Sequence, residues 1–127
     1  MITLKYDMRL ISKDNDCVIN RYTGRKMLSR KFLNFENEIK RLTKTQYKGE
    51  IITGSIGMSI TALFTNKKHC DCQNLSKGIC DALQSIVYKD DRQIKEIFIK
   101  VFEGEKEDCF QVDIEPISQG TKPLPGQ

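Results

Sequence analysis

At 127 residues, with 39% hydrophobic and 30% charged positions, the chain is long enough for one domain with a real core and too short for two ordinary ones. That balance excludes an intrinsically disordered chain, and no apolar run approaches the roughly 18 residues of a membrane span. The net charge is +4, and the five cysteines, with no apolar secretory leader at the amino terminus, read as reduced thiols in a cytoplasmic protein.

Ile2, Leu4, Tyr6 and Met8 alternate along the first segment, as on one face of a strand. A polar stretch follows, and Thr23-Gly24 is placed to turn a short basic hairpin. Ser29 reads as the N-cap of a helix whose buried stripe is Leu28, Phe32, Phe35, Ile39 and Leu42. Residues 20–48 hold nine Lys/Arg against two acids, Glu36 and Glu38. Most of these cations fall off the apolar stripe, which suits either a phosphate-backbone binder or an ordinary solvated helix face.

The period then changes. Ile56, Met58, Ile60, Ala62 and Phe64 alternate as a half-buried strand does. A second helix is expected from about Asn74 to Val87, with Leu75, Ile79, Leu83 and Ile86 inward. YKDDRQ reads as a loop, IKEIFIKVF as a strand, and Phe110, Val112 and Ile114 as the buried face of a last strand. The expected architecture is a single α+β domain over residues 1–115, with a mixed β-sheet and two main helices, followed by a flexible tail over 116–127 that holds all three prolines.

The chemistry concentrates in residues 69–94, HCDCQNLSKGICDALQSIVYKDDRQI. Asp71 lies where a strand gives way to a helix. If the chain is extended there, Asp71 and Gln73 project to one side and Cys70 and Cys72 to the other. Asp90 and Asp91 precede the next strand, and a helix between two strands can bring these acidic points together at one end of a sheet. Carboxylates beside basic residues suit a hard divalent cation. Taken singly, each feature also has a plain reading: acids before a helix cap it, Asp90-Asp91 form a solvated turn, and Lys77 pairs with Asp81 on a helix surface.

As a set, the segment resembles the RusA family of Holliday-junction resolvases, whose pattern runs roughly D-x-D-N-L-x-K, D-A-L, D-D-x-Q. Here it appears as Asp71-Cys72-Gln73-Asn74-Leu75-Ser76-Lys77, Asp81-Ala82-Leu83 and Asp90-Asp91-Arg92-Gln93, and weaker agreement extends upstream through Asn20-Arg21-Tyr22, Arg25-Lys26 and the first helix. The resemblance implies a homodimer that binds branched DNA, the four-way junction, and nicks it with Mg²⁺ or Mn²⁺. It implies Asp71 and Asp91 as metal ligands and catalytic residues, Lys77 as a catalytic cation near the scissile phosphate, and Asp90 as an adjacent carboxylate. DNA grip is expected from Arg21, Arg25, Lys26, Lys67, Lys68 and Arg92 through phosphate contacts that weaken with salt. No membrane and no small-molecule cofactor are expected, and the site of action would be the nucleoid.

One position departs from the pattern on the chemistry itself: Gln73 stands where the family carries a metal-binding Asp. A Gln oxygen can ligate Mg²⁺ but brings no charge. Three readings are open: a site rebuilt around Asp90, a site working with two carboxylates and an amide, or a junction-binding protein that no longer cuts. A further alternative is a zinc-stabilised nucleic-acid-binding module using His69, Cys70, Cys72 and Cys80. Its spacing lacks the paired C-x₂₋₄-C of structural zinc, and Cys80 reads more simply as a small core residue. His69 reads as an exposed or phosphate-contacting imidazole rather than a general base.

Overall fold

The computed structural model describes residues 1–11, 17–19, 22, 26–28, 30–69 and 72–118. In chain order the elements are β1 (Ile2–Tyr6), β2 (Cys17–Ile19), β3 (Lys26–Leu28), α1 (Arg30–Gln46), β4 (Ile56–Leu63), α2 (Ser76–Leu83), β5 (Ile94–Phe102) and β6 (Cys109–Pro116). Four strands form one sheet in the order β1-β6-β4-β5. β6 runs antiparallel to both β1 and β4, whereas β4 and β5 are parallel, joined through the crossover that carries α2. The domain is therefore α+β with a mixed sheet. β2 and β3 make a separate antiparallel ribbon, with Cys17 opposite Leu28. The turn expected at Thr23-Gly24 and the N-cap expected at Ser29 lie outside the described residues.

Register explains which face is covered. Met58, Ile60 and Ala62 of β4 stand between Ile114, Val112 and Phe110 of β6 and Ile97, Ile99 and Val101 of β5. Side chains alternate across a strand, so these apolar positions share one face. The helices bury their stripes on that face: Phe32, Phe35 and Ile39 of α1 and Ile79 and Leu83 of α2 all join its core. Phe35 tilts against Phe110, which in turn stacks on Tyr6 at 4.6 Å between centroids. The opposite face is polar over β1, β4 and β6, and Asp113 there accepts hydrogen bonds from Thr3 and Gln111.

One polar pair lies inside the core. Thr43 is fully buried; its hydroxyl lies 2.6 Å from the Ile39 carbonyl and 2.6 Å from the Tyr6 phenol. Buried polar groups are tolerated when so satisfied. At the end of α1, Gln46 accepts from the Lys5 N–H and donates to the Lys5 carbonyl, covering that stretch of the β1 edge.

α2 is shorter than its apolar period suggests. Cys72–Asn74 forms a separate 3₁₀ turn, and the helix ends at Leu83 because Gln84 is extended and Ser85 takes φ 71. The Leu83 carbonyl still accepts from Ile86 and Val87, so the chain folds back with Val87 and Tyr88 buried and Ile86 half-buried. Beyond β6, the Ile117 N–H bonds the Ser55 carbonyl, and residues 119–127, most of the expected tail, lie outside the described residues.

Burial gives the core an alkaline weakness. It pushes the Tyr6 phenol up to about 12, against the lowering effect of its Thr43 bond. The Cys80 thiol is pushed up to about 11, by burial first and then by the charges of Asp81 and Asp91. Above the ordinary value of each group the unfolded chain binds fewer protons than the folded one, so stability falls as pH rises, over about pH 9–11 for Cys80 and 10–12 for Tyr6. Each contribution is about 2–3 kcal/mol at its full extent. Urea melts should show falling stability from about pH 9, and Cys80→Ala should flatten the first part of the decline; a wild-type midpoint constant through pH 11 would contradict this.

Candidate active site

The acidic end of the expected site is built at the start of β5. Asp90 to Gln93 is not an open loop: Asp91–Gln93 forms a 3₁₀ turn with Asp90 as its N-cap. The Asp90 carboxylate accepts from the Arg92 N–H at 2.9 Å, and the Gln93 side chain reaches back to accept from the Asp90 N–H at 2.8 Å. This reciprocal pair is a capping box, which satisfies backbone donors that the short turn would otherwise leave open. The Gln93 oxygen also accepts from the Lys89 N–H, and its amide donates to the carbonyls of Ile52 at 2.8 Å and Gly54 at 2.9 Å. One side chain thus ties the acidic turn to the segment leading into β4.

Negative charge accumulates here. A hydrogen bond with Asp90 raises the Asp91 carboxyl above the usual range, helped by slight burial and by the charges of Asp90 and Asp81. Asp90 is lowered, first by the Arg92 N–H and then by its bond with Asp91. The charge of Asp81, in the last turn of α2, acts on Asp91 in the same direction as a lesser cause. Cys80 and Tyr88, packed beneath, feel both charges as well. Tyr88 donates to the Cys80 carbonyl at 2.5 Å, and burial lifts its phenol well beyond the ordinary tyrosine range. Crowded, exposed carboxylates are the donor chemistry a hard divalent cation relieves. Among the described residues, however, no three His, Cys, Asp or Glu side chains converge closely enough to hold a metal ion.

The remaining expected ligands fall where the description is incomplete. Asp71 lies outside the described residues, and Gln73 sits in the 3₁₀ turn Cys72–Asn74 with its side chain undescribed. That turn is not extended, so the alternation expected to carry from Asp71 through Gln73 does not hold over 72–74. Parallel pairing sets the end of β4 beside the end of β5, Leu63 against Phe102. The chain then comes back along β5: the Cys72 thiol lies 3.7 Å from the Ile99 carbonyl, and α2 continues to Asp81 near Asp91. Lys77 is exposed in the first turn of α2.

The expected DNA contacts divide in the same way. Arg92 is exposed beside Asp90, its Nε 3.8 Å from that carboxylate. Lys67 and Lys68 are exposed past the end of β4, at the other end of the sheet. The nine residues of β5 separate the two by roughly 25 Å, so they are not one cluster. Arg21 and Arg25 lie outside the described residues, and Lys26 is in β3 with its side chain undescribed.

His69 corrects the expectation of an exposed imidazole. Its side chain is 13% exposed, stacks on Phe64 at 4.3 Å, and places Nε2 2.6 Å from a Glu103 carboxylate oxygen. Arg9 covers the same Phe64 ring and pairs at 3.1 Å with Asp108, which also accepts from the Thr65 N–H. These contacts fasten the segment that leads to Asp71. Cys80 is 8% exposed with its thiol held protonated by burial, a core residue and a poor source of the thiolate that zinc requires.

Two contributors escape a residue-type reading. Asp81 was legible as half of a surface pair with Lys77 and as the Asp of the D-A-L element, with no role attached to it. Gln93 had a usable signal, because Asp followed three residues later by Gln is itself a capping-box spacing.

Fold and site together define a small α+β domain with a pair of carboxylates, Asp90 and Asp91, on the capped turn that starts an edge strand. Residues 8–115 match the family model described as Endodeoxyribonuclease RusA, and the chain belongs to that family, whose activity is endonucleolytic cutting of DNA at Holliday junctions. Comparison with curated proteins found no match. Among the described residues, no helix is long and apolar enough to cross a membrane.

Proposed function

We propose that this protein is a divalent-metal-dependent Holliday-junction endonuclease that works as a homodimer on nucleoid DNA. The observation that carries the reading is the capped turn that sets Asp90 and Asp91 side by side at the start of β5, in a chain of the RusA family. Asp71 and Asp91 would hold Mg²⁺ or Mn²⁺, with Gln73 as a neutral oxygen donor and Asp90 as a neighbouring carboxylate. When bound, the ion polarises the phosphodiester and activates a water for in-line attack. Lys77 offsets charge developing on the phosphate, and Arg92, Lys67 and Lys68, with Arg21, Arg25 and Lys26, grip phosphates along the junction arms.

A second reading follows from one residue. With Gln73 in place of an acid, the first shell loses a charge, and the protein would bind junctions without cutting them. The test is a labelled four-way junction incubated with Mg²⁺ or Mn²⁺ beside a Gln73→Asp variant. Wild-type protein is expected to cut, and the variant to reach half-maximal rate at about tenfold lower metal concentration, since one added ligand charge strengthens a hard-cation site. Cutting by the variant alone would make the natural protein a binder; tight binding with cutting by neither would sink the nuclease reading.

A further inference from the structure

α1 carries two kinds of cation, and helical geometry separates them. Phe32, Phe35, Ile39 and Thr43 are buried against the sheet. Successive residues turn by about 100°, so the direction opposite that stripe belongs to Arg30, Asn34, Asn37, Arg41 and Lys44. These five are spaced i, i+4, i+7, i+11 and i+14, and all are exposed. No acid and no apolar side chain lies on this ridge. The acids of the helix, Glu36 and Glu38, stand on its flanks, where Glu36 pairs with Lys40 at 3.1 Å and Glu38 with Arg41. Arg30 and Lys44, at the two ends, make no ion pair among the described residues.

The first turn runs against helix stability. Arg30 and Lys31 open α1, and no acid stands in its first turn, although the helix dipole favours an anion there and opposes a cation. A face that serves only solubility mixes both signs along its length. On α1 the opposite charges meet at the flanks, and the central ridge presents two arginines, a lysine and two amides.

The ridge is also remote from the acidic turn. Thr43 and Gln46 reach Tyr6 and Lys5 of β1, and Phe35 meets Phe110 of β6, so α1 covers the β1–β6 half of the sheet. Asp90 and Asp91 stand at β5, three inter-strand spacings or about 14 Å across the sheet from β1, and the ridge lies on the side of α1 turned away from it.

We propose that the outer ridge of α1 is a second DNA surface, which holds the sugar–phosphate backbone of one junction arm away from the point of cutting. Arg30 and Lys44 are about 21 Å apart along the helix axis, a length over which duplex DNA presents about twelve phosphate charges. The two end cations neutralise phosphates directly. Arg41 has to exchange Glu38 for a phosphate and contributes less, while Asn34 and Asn37 donate amide N–H groups to phosphate oxygens. A protein partner would call for an apolar anchor, which the ridge lacks. The proposal rests on the junction-binding reading and extends it to residues with no part in the metal site.

Anisotropy titrations of a labelled four-way junction between about 50 and 200 mM salt, without divalent metal, read the slope of log K against log salt. Arg30→Gln and Lys44→Gln are each expected to reduce its magnitude by about 0.9, and the double variant by about 1.8, with at least about tenfold weaker binding at 100 mM salt. Asn37→Asp, which sets an anion in mid-ridge at constant size, should weaken binding several-fold. Lys40→Gln removes a flank charge already paired with Glu36 and should move the slope by less than half as much as either end variant. Circular dichroism checks that each variant is folded. An unchanged slope in the double variant, or an equal reduction by Lys40→Gln, would overturn the surface. A protein that shows these slopes but never cuts would sink the nuclease reading and leave the surface standing; a wild type that does not bind the junction would overturn both.

Discussion

Replacing Asp91 with Asn is expected to lower the rate of four-way-junction cleavage by about 10³-fold or more, with folding and junction binding retained. Asp91 is exposed, and its carboxyl is held above the usual range chiefly by its bond with Asp90. The Asp91 charge adds only to what burial already does to the Cys80 thiol and the Tyr88 phenol, both of which stay protonated without it near neutral pH. The exchange to an amide of the same shape removes one anion from a crowded patch and leaves the Asp90 cap on the Arg92 N–H in place. What disappears is a ligand charge for a hard cation, and a cation that polarises the phosphate is worth several orders of magnitude in rate. Binding through dispersed phosphate contacts should survive, with its steep salt dependence unchanged. Single-turnover cleavage and gel-shift titrations on the same junction separate the two effects. Cleavage within tenfold of wild type would remove Asp91 from the chemistry.

The Asp91 assignment depended on a resemblance because local pattern alone does not separate a metal ligand from a solvated turn. The strands were easier to read. Ile56, Met58, Ile60 and Ala62 alternate because one sheet face is covered by helices and the other is polar, and the same cause produces the pattern in β1 and β6. α1 was legible for a parallel reason: Phe32, Phe35 and Ile39 recur at helical spacing and are buried. The end of α2 was not legible. The apolar period runs on through Ile86 and Val87, and the break occurs at Ser85, a left-handed residue without the glycine that usually marks one. Strand direction also lay beyond a local pattern. Parallel pairing of β4 and β5 requires the chain to travel back along the sheet before Asp81 meets Asp91, a tertiary consequence that no short window of sequence contains. His69 was misread for a similar reason, since its partners Phe64 and Glu103 come together only when the ends of β4 and β5 align.

Gln93 shows how that long-range assembly bears on the chemistry, and Gln93→Ala is expected to reduce cleavage about 10- to 100-fold without abolishing the fold. Its side chain makes four hydrogen bonds, accepting from the N–H groups of Lys89 and Asp90 and donating to the carbonyls of Ile52 and Gly54. Alanine leaves all four backbone groups to water. The turn is at the surface, so rehydration limits the stability loss to about 1–2 kcal/mol. Position is the larger casualty, because Asp90 and Asp91 ride on the turn that this amide clamps to the approach of β4, and a displaced ligand weakens a cation site even when the ligand is intact. Metal titration distinguishes positioning from mere destabilisation: the half-saturating Mg²⁺ concentration should rise, and excess Mg²⁺ should recover part of the rate at a temperature where the variant is fully folded. Gln93→Glu retains the two accepting contacts but loses both donations and puts a carboxylate against two carbonyls, so it should not rescue. Wild-type metal dependence in a measurably destabilised Gln93→Ala protein would confine Gln93 to the fold and leave the placement of Asp91 to the rest of the turn.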